Sequence, residues 1–125
     1  MKQDINNFLD IDLNNKFYLK ISFKINNDKM ADCIDIIKNI KMEGIIFTLP
    51  TKTVLTDDTC ELSIMTKIGT KISDMKIKNV NDFINNIKVL DSISEIVWAV
   101  YDENDNKLFR YEYDAQLDTE EFEAN

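Results

Sequence analysis

Acidic side chains are the residues of this chain that could do chemistry, because it has 23 aspartates and glutamates and no histidine. The absence of histidine excludes Ser-His-Asp and Cys-His catalytic arrangements, histidine-ligated zinc and a histidine proton shuttle. Glycine occurs only at Gly44 and Gly69, so no glycine-rich loop can cradle a phosphate. Acid–base or metal chemistry would therefore have to rest on carboxylates.

The segment that begins at Asp102 has oxygen-bearing side chains at alternate positions, as a calcium-binding loop does. Lys107 stands where such a loop needs a glycine for its turn, and Tyr113 stands where it needs a bidentate glutamate. We therefore interpret residues 102–106 as the turn of a hairpin, for which aspartate and asparagine are typical.

Asp57 and Asp58, with Glu61 close by, are a second candidate set for a metal ion or for acid–base work. Adjacent residues in an extended segment point to opposite sides, so these carboxylates diverge. We interpret Thr51–Thr59 as a polar loop or hairpin connection. The sequence predicts no catalytic residue, no metal ion and no cofactor, and hence a protein that is not an enzyme.

Patterns of apolar residues predict the elements that position these side chains. Alternation predicts strands over residues 17–25, 45–49, 60–68, 96–101 and 108–113, with Pro50 ending the second and the third bending near Gly69 towards Ile72. Spacing of three and four predicts helices over 30–40 and 80–90, the first stopped by Gly44 and the second capped by Asn79 or Asn81. Cys33 and Cys60 fall on apolar faces, which predicts buried, reduced thiols.

The predicted order is β-α-β-β-α-β plus one appended strand, which resembles the split βαβ pattern of ferredoxin-like domains. The resemblance is to the fold alone and carries no function. We expect an α+β domain with an antiparallel sheet, strands one and three at its centre, both helices on one face and the last hairpin at an edge.

The other face of this sheet has no predicted helix to cover it. We expect it to carry Tyr18, Lys20, Lys24, Glu61, Met65 and one side of the last hairpin, unless the N-terminal segment, with Ile5, Phe8, Leu9, Ile11 and Leu13, packs across it. In the hairpin, Phe109, Tyr111 and Tyr113 share the side expected to join Trp98 in the core. Leu108, Arg110 and Glu112 share the opposite side, which is the expected contact surface.

Negative charge is concentrated in the last quarter of the chain. Residues 91–125 hold 11 acidic residues against Lys107 and Arg110, whereas residues 1–90 are nearly neutral, and the whole chain carries −8. Such a field disfavours nucleic acid or an anionic membrane as a direct ligand and attracts a basic partner. No run of apolar residues is long enough for a membrane span or a secretory signal, so we expect a cytoplasmic protein.

We divide the chain into a single domain over residues 1–114 and an acidic tail over 115–125. The tail alone is too dilute in charge to mimic duplex DNA, which carries about one charge per 1.7 Å of axis. Mimicry would need the acids of the hairpin alongside the tail, or a second copy of the chain.

Lysine outnumbers arginine fourteen to one, and isoleucine and asparagine are abundant, which indicates AT-rich coding and hence a bacterium or phage. The function we expect is that of a non-catalytic acidic inhibitor or immunity-type protein of a conflict system, one that neutralises a basic nuclease toxin or a nucleic-acid-handling defence enzyme. The alternative is a ferredoxin-like ligand-sensing or assembly module that forms a homodimer through its sheet edges. The expected partner-binding residues are Asp102, Glu103, Asp105, Arg110, Glu112, Asp114, Asp118, Glu120, Glu121 and Glu123.

Overall fold

The residues that the structure describes form a six-stranded antiparallel sheet and two α-helices, which confirms the α+β class. The computed structural model describes residues 3–14, 16, 18–39, 45–66, 74–88 and 93–125. The elements are β1 (Tyr18–Asn26), α1 (Met30–Asn39), β2 (Thr51–Val54), β3 (Thr59–Met65), α2 (Ile77–Ile87), β4 (Ile93–Tyr101), β5 (Lys107–Asp114) and β6 (Thr119–Ala124). The strand order across the sheet is β2-β3-β1-β4-β5-β6.

One face of the sheet, here called the inner face, packs against both helices. In β1 every second side chain is fully buried, which is the alternation expected of a strand with one face in the core. The same core contains Cys33 of α1 together with Val80 and Ile84 of α2. Cys60 of β3 is also buried there, and both cysteines are free.

The N-terminal segment packs at the edge of this core and not across the opposite, outer face. Backbone hydrogen bonds from Leu13 N to Met75 O (2.8 Å) and from Ile77 N to Ile11 O (3.1 Å) tie it to the start of α2. Ile5 is buried in the same core. The segment therefore leaves the outer face without a covering layer in the part of the chain that the structure describes.

The prediction for the second strand is wrong in its position. The predicted strand 45–49 makes only an isolated bridge between Phe47 and Thr66, whereas β2 lies in the segment interpreted as a loop. Residues 51–54 are rich in β-branched side chains, which fit a pleated strand. The hairpin to β3 is closed by Thr56, whose hydroxyl accepts hydrogen bonds from the backbone N–H groups of residues 58 and 59.

The strand order also differs from the prediction, because the sheet has six strands and its middle pair is β1 and β4. The last predicted hairpin is not at an edge, since β6 adds beyond β5. Residues 115–118 form a turn, and β6 pairs with β5 along its length and buries Phe122. The segment 115–125, predicted to be an acidic tail, therefore forms a turn and an edge strand of the sheet.

The second helix begins earlier than predicted, at Ile77. Asn79 lies inside its first turn and caps it from there, because its side-chain oxygen accepts a hydrogen bond from Lys76 N (2.8 Å). The predicted helix stop at Gly44 and the bend at Gly69 lie outside the described residues, as do the continuation to Ile72 and the last helical residues, 89–90. With 10 and 11 residues, neither described helix could cross a membrane.

Candidate functional site

The outer face carries a group of acidic side chains on three neighbouring strands, which we call the acidic patch. Register places Glu95 of β4 opposite Asp114 of β5, Glu112 opposite Glu121 of β6, and Arg110 opposite Glu123. Directly opposite residues in an antiparallel pair project to the same face about 5 Å apart. The acidic patch thus consists of Glu95, Arg110, Glu112, Asp114, Glu121 and Glu123.

Two carboxyl groups of the patch, those of Glu95 and Glu112, are close enough to share a proton. Partial burial, followed by a hydrogen bond with Glu112, raises the pKa of Glu95. The same hydrogen bond, and then one from Arg110, lowers the pKa of Glu112. Arg110 Nη1 lies 3.1 Å from Glu112 Oε2, so the one cation of the acidic patch is paired with Glu112.

The carboxylate of Asp114 also builds the turn between β5 and β6. Its Oδ1 accepts hydrogen bonds from Gln116 N (2.9 Å) and Leu117 N (3.2 Å). Asp118 closes this turn with a φ of 50°, a left-handed conformation that aspartate tolerates better than most residues. Asp118 therefore lies beyond one end of the patch.

The turn between β4 and β5 lies beyond the other end and contains three more of the predicted residues. Asp102 folds back into it: its Oδ1 accepts hydrogen bonds from the backbone N–H groups of residues 104 and 106, both at 2.9 Å. The bond from Asn106 is the main reason that the pKa of Asp102 is lowered. Asp105 has a φ of 62° there, and Glu103 is exposed. Asp102 thus stabilises the turn more than it offers a contact.

Glu120 does not belong to the patch, because it lies on the inner side of β6. Its Oε1 is 2.9 Å from Nζ of Lys88, at the end of α2. The same Nζ lies over two aromatic rings, 5.2 Å from the centroid of Tyr111 and 4.7 Å from that of Tyr113. Lys88 and its aromatic neighbours were not predicted to interact, since no sequence spacing relates the end of α2 to β6.

Five of the ten predicted residues therefore meet on one surface: Arg110, Glu112, Asp114, Glu121 and Glu123. Four others lie in the two flanking turns, and Glu120 faces the opposite way. Glu95 was missed, because its place beside Glu112 follows from the register of β4 and β5, which the sequence pattern alone does not specify.

The other half of the outer face is polar and mixed in charge. Ser22 and Ser63 join their hydroxyls across β1 and β3 at 3.0 Å, and Lys20 and Lys24 alternate with Ser22 along β1. A shallow depression of about 160 Å³ lies between these residues and the patch, lined by Ser22, Lys24, Leu55, Glu61, Glu95 and Val97. Glu61 of β3 adds one negative charge to this half, beside the two lysines, whereas the acidic patch on β4, β5 and β6 holds five carboxylates and one cation.

Within the described ranges, no group of three or more acidic or cysteine side chains is arranged to hold a metal ion. Comparisons with protein families, with curated proteins and with solved structures find no match to this chain. Its function must therefore be argued from the geometry of the outer face.

Proposed function

We propose that the protein is a non-catalytic acidic inhibitor that binds a basic, nucleic-acid-handling protein through the acidic patch. The observation that carries the proposal is the convergence of five carboxylates from three adjacent strands on an outer face without a covering layer among the described residues. A stable isolated domain gains nothing from such like-charge crowding, since like charges opposite one another on a sheet are destabilising. A partner that supplies positive charge would offset the repulsion.

The spacing of the patch supports a partner that normally binds phosphates. Side chains on one face of a strand repeat about every 6.6 Å, so the three rows of the patch span about 13 Å. Five carboxylates less one guanidinium leave four negative charges over this length when all are ionised, about one per 3.3 Å, and three, about one per 4.4 Å, when Glu95 and Glu112 share a proton. One strand of duplex DNA carries about one charge per 3.4 Å of axis. β6 lies beside the hairpin acids, as mimicry of a phosphate backbone requires.

Beside the acidic patch, the partly exposed side chain of Val97 is an apolar group that a partner could desolvate. Val97 of β4 lies opposite Glu112, and Ala99 lies opposite Arg110, so small apolar side chains adjoin the charged ones. Charges at a rim speed encounter, while contacts that exclude water set the lifetime of a complex. The acidic patch and the adjoining Val97 together supply both kinds of contact.

In this proposal the inhibitor belongs to a bacterial or phage conflict system and acts in the cytosol, where its target meets nucleic acid. The target is a nuclease toxin or a defence enzyme that handles nucleic acid. Neutralisation follows from occupation of the target's nucleic-acid-binding surface and needs no reaction of the inhibitor itself.

Capture of the partner from the source cell tests the proposal. The wild-type protein is compared with the double variant Glu121→Lys/Glu123→Lys and with a control of equal charge change in an exposed loop, Asp57→Lys/Asp58→Lys. We expect the wild type and the control to retain one basic protein that the patch variant loses, and we expect added inhibitor to release nucleic acid from that protein. Retention by the wild type and both variants alike, or a partner that binds no nucleic acid, would contradict the proposal.

A second candidate function, assembly through a sheet edge, has its own observation. All four residues of β2 at the free edge are exposed, and four of the exposed large apolar side chains lie on or beside it: Ile46, Leu49, Val54 and Leu55. Such an edge can add a strand from another chain. Under this proposal the fold is a ferredoxin-like domain with β5 and β6 appended, which the helical links from β1 to β2 and from β3 to β4 support. Sedimentation at micromolar concentration would show a dimer, and a strict monomer would argue against it.

A further inference from the structure

A hollow of about 240 Å³ lies on the outer face over β2, β3 and β1, beside the half that carries the acidic patch. It forms where the edge of the sheet bulges. Thr48 N donates to Met65 O (2.8 Å), and β2 then pairs Thr51 with Ser63, so three steps along the edge correspond to two along β3. The polar part of the lining consists of Lys20, Thr48, Thr51, Thr53, Glu61 and Ser63.

Hydrogen-bond donors of this lining can be reached from the solvent. Lys20 and Thr53 are exposed, and Thr48 is partly exposed. Thr48 Oγ1 accepts a hydrogen bond from Met65 N (3.2 Å), which leaves its hydroxyl hydrogen to donate to a ligand. An ammonium group with hydroxyl groups on either side suits an anionic ligand that accepts hydrogen bonds.

Lys20 gives the hollow a positive charge that its neighbours across the sheet do not balance. Register places Lys20 opposite Met65 on β3 and opposite Ala99 on β4. Glu61, the acid of the lining, lies opposite Lys24, so its charge is met by that lysine. A singly charged carboxylate matches the hollow better than a phosphate dianion does, because Glu61 would repel the second charge of the phosphate.

The acidic patch alone is too small for a stable protein–protein interface. Three strands about 4.8 Å apart and three rows about 6.6 Å apart cover roughly 300 Å². An interface of standard size buries about 800 Å² on each partner. Because β6 is an edge strand, the outer face continues from the patch only towards β1, β3 and β2. A partner that uses this face for the area it needs therefore reaches the hollow.

We propose that the protein docked on the acidic patch also places a carboxylate side chain in the hollow, where it binds Lys20 and accepts hydrogen bonds from Thr48 and Thr53. This contact rests on the proposed function and specifies its partner. The partner has a basic surface with one acidic side chain beside it, at a distance of two strand spacings or more, about 10 Å, from the groups that meet β5. A uniformly basic surface would be repelled by Lys20.

Replacement of Lys20 tests the contact through the sign of its effect on affinity. Lys20→Met removes the charge and keeps most of the apolar stem, and Lys78→Met, at an exposed position of α2, is the matched control. Isothermal titration calorimetry measures the affinity of each full-length variant for the captured partner. We expect Lys20→Met to weaken binding about tenfold, because a hydrogen bond between charged groups is lost, and Lys78→Met to bind as the wild type does. A partner without the carboxylate would bind Lys20→Met equally or more tightly, since a repulsive charge has gone, and either result would overturn the proposal.

A second pair of variants tests the hollow by its shape. Thr53→Trp fills the hollow, whereas Val54→Trp places the same side chain on the opposite side of β2. Both positions are exposed, so both variants should fold, which thermal melting checks. We expect Thr53→Trp to weaken binding about tenfold or more and Val54→Trp to bind as the wild type does. Equal affinities for the two would count against a carboxylate in the hollow.

The patch variant Glu121→Lys/Glu123→Lys separates this contact from the proposed function. If it loses affinity while Lys20→Met and Thr53→Trp bind as the wild type does, the acidic patch is the docking surface and the contact in the hollow is refuted. If none of these variants loses affinity, or if no partner is captured, the proposed function fails and the contact in the hollow fails with it.

Discussion

Replacement of Phe122 by alanine should destabilise the domain strongly, because this side chain anchors the C-terminal strand in the core. Its exposed fraction is 2%. Its ring lies 5.3 Å from that of Phe8, 6.0 Å from that of Trp98 and 6.2 Å from that of Phe109, measured between centroids. The residue therefore joins the N-terminal segment, β4, β5 and β6.

The expected cost is about 3–5 kcal/mol, the range for truncation of a buried phenylalanine that leaves a cavity. A domain of this size has a free energy of unfolding of about 5–15 kcal/mol, so the variant should lose a large part of it. The matched control is Leu117→Ala in the turn that precedes β6, where the side chain is 71% exposed. Its cost should stay within about 0.5 kcal/mol.

Urea unfolding, followed by the fluorescence of the single tryptophan, measures both variants. Trp98 is fully buried beside Phe122, so its emission reports on this part of the core. A loss below about 1 kcal/mol for Phe122→Ala, where burial predicts 3–5, would refute the packing of β6. A loss equal to that of Leu117→Ala would do the same.

Three further expectations concern charge and the free edge. Glu95→Gln should stabilise the domain at neutral pH by about 0.5 kcal/mol in thermal unfolding, since it removes a screened like-charge contact while the amide still donates to Glu112. Because the pKa of Glu95 is raised on folding, the stability that protonated Glu95 contributes is present at low pH and is lost as pH rises through the pKa of Glu95 in the folded protein. The stabilisation by Glu95→Gln should therefore grow from acidic to neutral pH. A stabilisation that does not change with pH would count against the shared proton. At pH values above the unfolded pKa of aspartate, Asp102→Ala should lower the melting temperature, and this effect should shrink as pH falls through the lowered pKa of Asp102 in the folded protein. Glu103→Ala, in the same turn, should leave the melting temperature unchanged. Equal melting curves for the two variants would be inconsistent with the turn described. Val54→Lys should leave the free energy of unfolding within about 0.5 kcal/mol of wild type and abolish any sheet-edge dimer in sedimentation, and a dimer that persists would exclude β2 as its interface.

Local periodicity was sufficient to predict β1, both helices and the hairpin of β4 and β5. These elements have alternating or helical rows of large apolar residues, and such rows specify which side enters the core. The strand β6 has no such row, because its four central positions hold three glutamates around Phe122. It becomes a strand only because β5 offers it a paired edge, and pairing of that kind is a tertiary effect.

The candidate site was predictable to the same extent. Alternation in β5 correctly placed Arg110 and Glu112 on the side opposite to Tyr111. The acids of β6 fall in the segment predicted to be a tail, so the sequence predicts neither their alignment with Glu112 nor the position of Glu95. Both depend on register between strands, which the alternation of one strand does not specify.

The salt dependence of the association rate with the captured partner tests the role of the acidic patch most directly. Stopped-flow measurements would compare the wild type with Glu121→Lys/Glu123→Lys between low and high ionic strength. We expect the wild-type rate to fall steeply with salt, and the variant to associate about tenfold more slowly at low salt with a flatter dependence. Equal rates and equal slopes for the two proteins would contradict the assignment of the patch as the docking surface.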